Sequence, residues 1–291
     1  TFLRQLRRTN PARARELLVS TLAEEPPEER PMFVSTLGEQ LSAADEPFLE
    51  AALDDRRKEV RETAARLLAR VPTSAFVRRM VERASPLVKF TPGEAGNLLR
   101  LKKAKPPALE VTLPTECDKA MQRDGIVAKP PRGMGEKAWW LRQVVAAIPP
   151  AHWEAQWQAA APDIVQAAAA TEFSEALLDG FILTAVDHHA ANWAGALLRW
   201  QIANGKLHKD TSTLLLGVLP YPEQAALLTE LLADAKLDAR IAFDLFDVGT
   251  GYERGWDADL SRGIMRWLRS LVASASTDWQ MRTELAALPL K

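Results

Sequence analysis

A single cysteine, Cys117, occurs in 291 residues. One thiol excludes a disulfide framework and a structural cysteine–zinc site, and it fits a reducing compartment. Long apolar runs are missing too. The longest candidate, Gly180 to Val186, is closed in by Asp179 and Asp187, well short of the roughly 18 residues that suggest a membrane span. The opening TFLRQLRRTN contains no apolar signal-peptide core and begins without Met. The expected location is the cytoplasm, with no membrane partner.

Catalytic signatures are also lacking. There is no Gly-x-x-x-x-Gly-Lys-Ser/Thr phosphate loop and no Gly-x-Ser-x-Gly elbow. Gly133-x-Gly135 has no strand before it and no third glycine, so it reads as a permissive helix start. The histidines are His152, His188, His189 and His208. Neighbours such as His188 and His189 stand about 100° apart on a helix, which makes them poor co-ligands. With Asp187 they read as a solvated helix end. The carboxylate pairs Asp54-Asp55, Asp244/Asp247 and Asp257/Asp259 have cap or surface explanations. No catalytic, cofactor-binding or metal residue is assigned, and the balance leans against an enzyme.

What is present is ordinary for a globular chain: 47% hydrophobic and 26% charged residues. A chain of this length buries roughly 75% of its unfolded surface and needs no covalent staples. Charge is uneven. Residues 1–135 carry 24 Lys+Arg against 19 Asp+Glu, and residues 136–291 carry 13 against 19. All nine tryptophans lie between Trp139 and Trp279. Two composition shifts at one place suggest two lobes meeting near residue 135. The basic excess falls short of the footprint of a dedicated nucleic-acid binder.

The first ninety residues read as successive amphipathic helices. Asn10-Pro11 is an N-cap followed by Pro at the first helical position, and Ala14, Leu17, Leu18, Thr21 and Leu22 share one face. Pro26-Pro27-Glu28-Glu29 opens the next helix, with Phe33, Leu37 and Leu41 inward. A third runs from Glu46 through Leu53. A fourth begins after Asp54-Asp55, with Val60, Ala64, Leu67, Leu68 and Val71 inward, and Pro72 stops it. Thr73 or Ser74 caps a fifth, with Phe76, Val77, Met80, Val81 and Ala84 inward.

Residues 85–135 break the pattern. They hold seven of the 19 prolines and the most basic stretch, with Lys102, Lys103, Lys105, Arg123, Lys129 and Arg132. Leu109 to Leu113 alternates like a short strand, and one helix is expected between Gly93 and Lys103. Long irregular connections in compact domains are usually functional or disordered. Leu98, Leu99, Leu101, Leu113, Met121, Ile126 and Val127 offer apolar anchors for an ordered insertion.

Helices resume at Gly135. The inner faces are Leu141, Val144, Val145 and Ile148; then Trp153 and Trp157; Ala167 to Ala170; Leu177, Leu178, Phe181, Ile182 and Ala185; Trp193, Ala196, Leu197 and Trp200; Leu227, Leu228, Leu231 and Leu232; and Ile264, Trp267, Leu268, Leu271 and Val272. An irregular loop, 248–255, precedes the last.

Asp55-Arg56-Arg57-Lys58-Glu59-Val60-Arg61-Glu62-Thr63-Ala64-Ala65-Arg66-Leu67-Leu68 resembles the second helix of a HEAT repeat. The resemblance implies that Asp55, Val60 and Arg61 are structural repeat residues. Asp55 would cap free N–H groups, Arg61 would reach an acid on the neighbouring repeat, and Ala64 and Ala65 would let a paired helix approach closely. The expected fold is all-α: a HEAT-like, armadillo-type superhelix with an irregular, Pro-rich central insertion. Its parts are 1–84, helical repeats; 85–135, the insertion; and 136–291, Trp-rich repeats, packed as one continuous solenoid. The hydrophobe–Pro stops at Val71, Ile148 and Leu219 are spaced by about two repeat lengths.

Arg123-Asp124-Gly125-Ile126, then Gly133-Met134-Gly135-Glu136-Lys137-Ala138-Trp139-Trp140-Leu141-Arg142-Gln143, with Ile148-Pro149-Pro150 and Trp153, is similar to a family of uncharacterised bacterial proteins, a domain of unknown function. Residues 45–80 fit it as well. The resemblance brings no activity. It implies a context of AAA-type ATPases and von Willebrand A proteins as partners.

Trp139 and Trp140 cannot both face one core, so one is expected at an interface or under the insertion. Beside Arg132, Lys137 and Arg142 they suit a partner-binding hot spot. Two functional readings follow. The preferred one is a non-catalytic α-solenoid scaffold that binds another protein through these five residues. The alternative is a HEAT-like nucleic-acid-binding protein of the DNA glycosylase type, with Arg and Trp around a flipped base. The pI of 6.4 and the acidic C-terminal half count against nucleic acid.

Overall fold

In the first ninety residues the helix boundaries follow the start and stop chemistry of the chain. The computed structural model describes residues 2–94, 104–232, 245 and 258–273. Most of the segment expected as a helix at 93–103, its Leu98, Leu99, Leu101, Lys102 and Lys103, and the loop 248–255 lie outside these residues. The described residues are mostly helical, with one small two-stranded sheet. The chain forms two compact units, Thr1–His188 and His189–Lys291. The composition shift near residue 135 thus falls inside the first unit.

In the first unit, α1 spans Phe2–Thr9 and α2 spans Pro11–Thr21, with Asn10 Oδ1 accepting from Arg13 N at 3.0 Å as the cap. Helix α3 covers Arg30–Ser35. It starts later than Pro26-Pro27-Glu28-Glu29 suggests, because those residues form a preceding turn. A 3₁₀ turn, Thr36–Gly38, follows it, so Leu37 is buried from outside the helix and Val34 is the inward residue within it. Helices α4 (Glu46–Ala52), α5 (Lys58–Ala69) and α6 (Ala75–Ala84) match expectation. Ser74 is the α6 cap, accepting from Val77 N at 3.1 Å. Val60, Ala64, Leu67, Leu68 and Val71 are all buried. Helix α5 packs against α3, α4 and α6, which accounts for its largely apolar inner face; the buried Thr63 hydroxyl is satisfied by the Glu59 carbonyl.

The insertion is ordered around a hairpin. Strand β1 (Val88–Thr91) pairs antiparallel with β2 (Ala108–Val111), in the register Val88 opposite Val111 and Phe90 opposite Leu109. The expected strand is present, one residue early and shorter. Its partner β1 was not anticipated, because four residues, Val-Lys-Phe-Thr, give too short an alternation to stand out. Strand β2 packs on α10 (Ala161–Ala169), and Phe90 of β1 stacks on Trp157 of α9 (Pro150–Trp157), with centroids 5.4 Å apart. A short helix, α7 (Lys119–Arg123), capped by Asp118, completes the insertion.

Helix α8 (Glu136–Ala146) packs against α6 and, closely, against α11 (Ser174–Asp187). The contact needs a glycine. A Cβ on Gly180 would stand 2.9 Å from Val145 Cγ1 and 3.0 Å from the Arg142 carbonyl. Thr184 Oγ1 donates to the Ile148 carbonyl at 2.7 Å, so a buried hydroxyl is satisfied at the same crossing. His188 is the C-cap of α11 and His189 has φ of 50°, so the pair ends a helix instead of lying along one.

In the second unit, α12 (Ala191–Ala203) packs on α13 (Lys209–Val218), and α14 (Tyr221–Leu232) on α15 (Ala258–Ala273). Ser212 and Gln201 are buried and hydrogen-bonded to each other at 2.9 Å, tying α13 to α12. No helix among the described residues is long and apolar enough to cross a membrane.

Candidate functional site: the seat of the insertion

The chain that leaves α7 runs across the first two turns of α8, and three α8 side chains read its backbone. Trp139 Nε1 donates to the Val127 carbonyl at 2.7 Å, and Trp140 Nε1 donates to the Ala128 carbonyl at 2.8 Å. The Gln143 amide takes both main-chain groups of Val127: Oε1 accepts from Val127 N at 2.8 Å, and Nε2 donates to its carbonyl at 3.1 Å. Adjacent tryptophans therefore serve one purpose. Their indole N–H groups reach consecutive carbonyls, while the Trp140 ring is only 8% exposed and Trp139 is half-buried.

Of the five residues expected at a binding surface, Arg132 and Lys137 are exposed. Arg142 lies with its guanidinium 5.0 Å from the centre of the Trp139 ring, and its Nε is 3.3 Å from Asp179 of α11. Trp139 and Arg142 thus form a cation–π pair at the rim. Trp140 is placed inward.

A second constellation fixes the same segment from the other side. Asp124 is 2% exposed and receives arginines from two directions. Arg79 of α6 approaches it through Nη2 at 2.8 Å and Nε at 3.1 Å, Arg83 through Nη1 at 2.6 Å, and Arg123 at 3.3 Å. Arg79 also pairs with Glu50 of α4 at 3.1 Å, and Arg123 with Asp54 at 2.7 and 2.9 Å. Burial pushes the Asp124 carboxyl up, but hydrogen bonds from Arg79 and Arg83 and their charges outweigh it and hold the group below the usual carboxylate range. The next residue, Gly125, has φ of 78°, and a Cβ there would come 2.7 Å from the Ala65 Cβ and 3.2 Å from the Arg61 carbonyl. Only glycine combines that conformation with that approach. Ile126 follows, buried.

The model of DUF5691, a family of unknown function, matches residues 1–290. The chain belongs to this family. No curated protein and no solved structure matches it.

The family resemblance seen in residues 45–80 and 120–155 thus extends over essentially the whole chain. Within it, Val60 is fully buried. Asp55 Oδ1 accepts from Arg57 N at 2.8 Å, just ahead of α5, and its carboxylate lies 3.5 Å from Arg30 of α3. Arg61 departs from expectation: instead of an acid on a neighbouring repeat, it donates to the carbonyls of Asp55 and Arg56 in its own approach loop. Ala65 makes room for Gly125 of the insertion.

Glu50, Arg79, Arg83 and Asp124 were not singled out from the sequence. Two signals bear on three of them: Arg79 and Arg83 one turn apart on α6, and the Arg-Asp-Gly-Ile run already noted as a family feature. The Cys117 thiol is pushed up by burial and by Asp118, which makes it a poorer thiolate. No cluster of three or more His, Cys, Asp or Glu side chains placed to hold a metal occurs among the described residues.

Proposed function

We propose that the protein is a non-catalytic helical scaffold of the α-solenoid kind that binds another protein at the surface where the insertion meets the start of α8. The observation that carries this reading is the side-chain anchoring of an irregular, basic segment. Trp139, Trp140 and Gln143 hold its backbone, which leaves Lys129, Arg132 and Lys137 exposed beside the Trp139–Arg142 pair. A rigid basic loop next to a half-buried aromatic ring fits the anatomy of a binding hot spot. Neighbouring helices in contact, α1 with α2, α4 with α5, α5 with α6, and α10 with α11, support the solenoid reading. The contact of α8 with α11 skips two helices and is a local departure from it.

The partner chemistry that fits is an acidic protein face. An AAA-type ATPase or a von Willebrand A protein, the classes implied by the family resemblance, is the first to test. Arg132→Ala, Lys137→Ala and Arg142→Ala variants that keep the wild-type circular dichroism spectrum should lose the partner recovered by the wild type, with a steep dependence on salt. Retention by all of them would end this reading.

A further inference from the structure

The chain contains the proline pairs Pro26-Pro27, Pro106-Pro107, Pro130-Pro131 and Pro149-Pro150. Three have a local use. The Pro26 carbonyl accepts from the N–H groups of Glu29 and Arg30 in the turn before α3, and this pair stands between acids, Glu25 and Glu28. Pro107 lies against Gly93, whose Cβ position is 3.1 Å from the Pro107 nitrogen, and leads into β2. Pro149 and Pro150 are buried, and Pro150 opens α9. Pro130-Pro131 differs from all of these. Pro131 is exposed, Pro130 is half-buried, and the flanking Lys129 and Arg132 are exposed. Neither cation makes an ion pair or a side-chain hydrogen bond among the described residues.

The conformation of this pair follows from covalent geometry. Proline holds φ at about −65°, and a residue that precedes proline is pushed to an extended ψ of about +120 to +160°. Pro130 obeys both constraints, and both prolines follow trans peptide bonds, so Pro130 occupies the polyproline II region without help from its surroundings. Met134 N then donates to the Pro131 carbonyl at 3.4 Å, closing a turn in which Gly133 supplies φ of 91°. Before the pair, Val127 and Ala128 are held by Trp139, Trp140 and Gln143, so the two ends of the loop are fastened to each other. What reaches the surface is short, stiff, apolar at its centre and cationic on both flanks. Stiffening alone accounts for a proline in a loop; it does not account for two unpaired cations bracketing the rings.

We propose that Lys129-Pro130-Pro131-Arg132 is a recognition segment that docks, already in polyproline II form, into an aromatic-lined groove with an acidic rim on the partner protein. This rests on the scaffold reading and names the partner's chemistry. Proline-rich segments bind flat aromatic grooves because their conformation is set beforehand and little entropy is lost on docking. The anchoring by α8 adds to this, since a loop fastened at its neck has less freedom to lose. Lys129 and Arg132 meet the acidic rim, which fixes orientation and speeds encounter.

The probe is a fluorophore-labelled WW domain, a module whose aromatic groove takes polyproline II segments, in a form with acidic residues beside the groove. It should bind the full chain saturably, and more weakly as salt rises. Pro130→Ala with Pro131→Ala should weaken binding at least about tenfold, the loss of a hot spot, and keep the salt dependence because both charges remain. Arg132→Glu should abolish binding by setting like charges against each other. The proposal is overturned if wild type shows no saturable binding, if the proline variant binds equally with an unchanged circular dichroism spectrum, or if Arg132→Glu still binds. Should the double variant not fold, Pro131→Ala alone, at the exposed ring, decides by the same criterion. Failure of the scaffold reading shows separately, as a native partner retained by the Arg132→Ala, Lys137→Ala and Arg142→Ala variants.

Discussion

Arg7 and Asp45, 38 residues apart, face each other through two 3.0 Å contacts from which water is wholly excluded. Around them, Arg7 also donates to the carbonyls of Pro11, Leu37, Glu39 and Gln40, at 2.9 to 3.1 Å. Asp45 takes Arg15 at 3.0 Å and the Ser42 N–H at 3.0 Å. A guanidinium has five N–H groups, and here all have oxygen within reach. The pair therefore organises the turn between α3 and α4, including Gln40 at φ of 53°.

Removing the guanidinium should cost about 3–5 kcal/mol, the range for breaking a buried pair. A packed apolar replacement of both partners is often neutral elsewhere, but here it would leave the carbonyls of Leu37, Glu39 and Gln40 unpaired. Arg7→Met should thus be strongly destabilising in denaturant melts, and Arg7→Met with Asp45→Asn should recover little. Recovery of most of the loss would assign the energy to the ion pair alone.

Much of this architecture was legible because helix faces are written in local spacing. Val60, Ala64, Leu67 and Leu68 could be placed inward from periodicity, and Asn10, and either Thr73 or Ser74, as caps from residue type. The insertion was legible as an irregular stretch with anchors, and Met121 and Ile126 are buried as expected. What holds it was not. Arg79 and Asp124 are 45 residues apart, and no spacing rule joins them. Helix α7 is too short for a period to show, and α13 opens with Lys-Asp-Thr-Ser-Thr, which reads as loop. The two adjacent tryptophans of α8 read from the sequence as a conflict of faces. The resolution, donation to consecutive carbonyls of the insertion, depends on a backbone path that the sequence does not state.

Helix α5 offers a direct check of face assignment. Leu68 is fully buried, whereas Arg57, ahead of the helix, is half-buried, with 42% of its side chain open to water. Leu68→Ala should cost about 2–5 kcal/mol from lost burial and the cavity left behind. Arg57→Ala should cost under about 0.5 kcal/mol, as surface changes do. Equal losses in denaturant melts would mean that the leucine site collapses around the smaller side chain or that the Arg57 side chain carries a hidden contact.

Gly180 should behave against its helix propensity. In an exposed helix, Gly→Ala gains about 1 kcal/mol. Here the new methyl meets Val145 Cγ1 at 2.9 Å and a backbone carbonyl at 3.0 Å, and overpacking of that kind costs about 1–3 kcal/mol. Since a carbonyl cannot swing aside like the end of a side chain, the second effect should win. Gly180→Ala should lower stability by about 1 kcal/mol. A rise in the unfolding midpoint would show that α8 and α11 separate easily.

Acid should loosen the first unit through Asp124 and Asp45. In both, burial raises the carboxyl and the arginine hydrogen bonds more than compensate, so the folded pKa lies below the unfolded one. A group shifted in that direction stabilises fully above its unfolded pKa, about 3.9 for Asp, and the contribution is lost as pH falls through the folded value. Asp54 shifts the same way, chiefly through its hydrogen bond from Arg123, but it stands in water and adds little. Asp124→Asn should therefore cost about 2–4 kcal/mol at neutral pH, less than a sealed pair because the arginines are partly solvated. The difference from wild type should shrink below about pH 4, where the wild-type carboxyl also takes up its proton. Denaturant melts of both proteins across that range give the two curves. A gap that stays constant with pH would show that shape, and not charge, makes Asp124 matter.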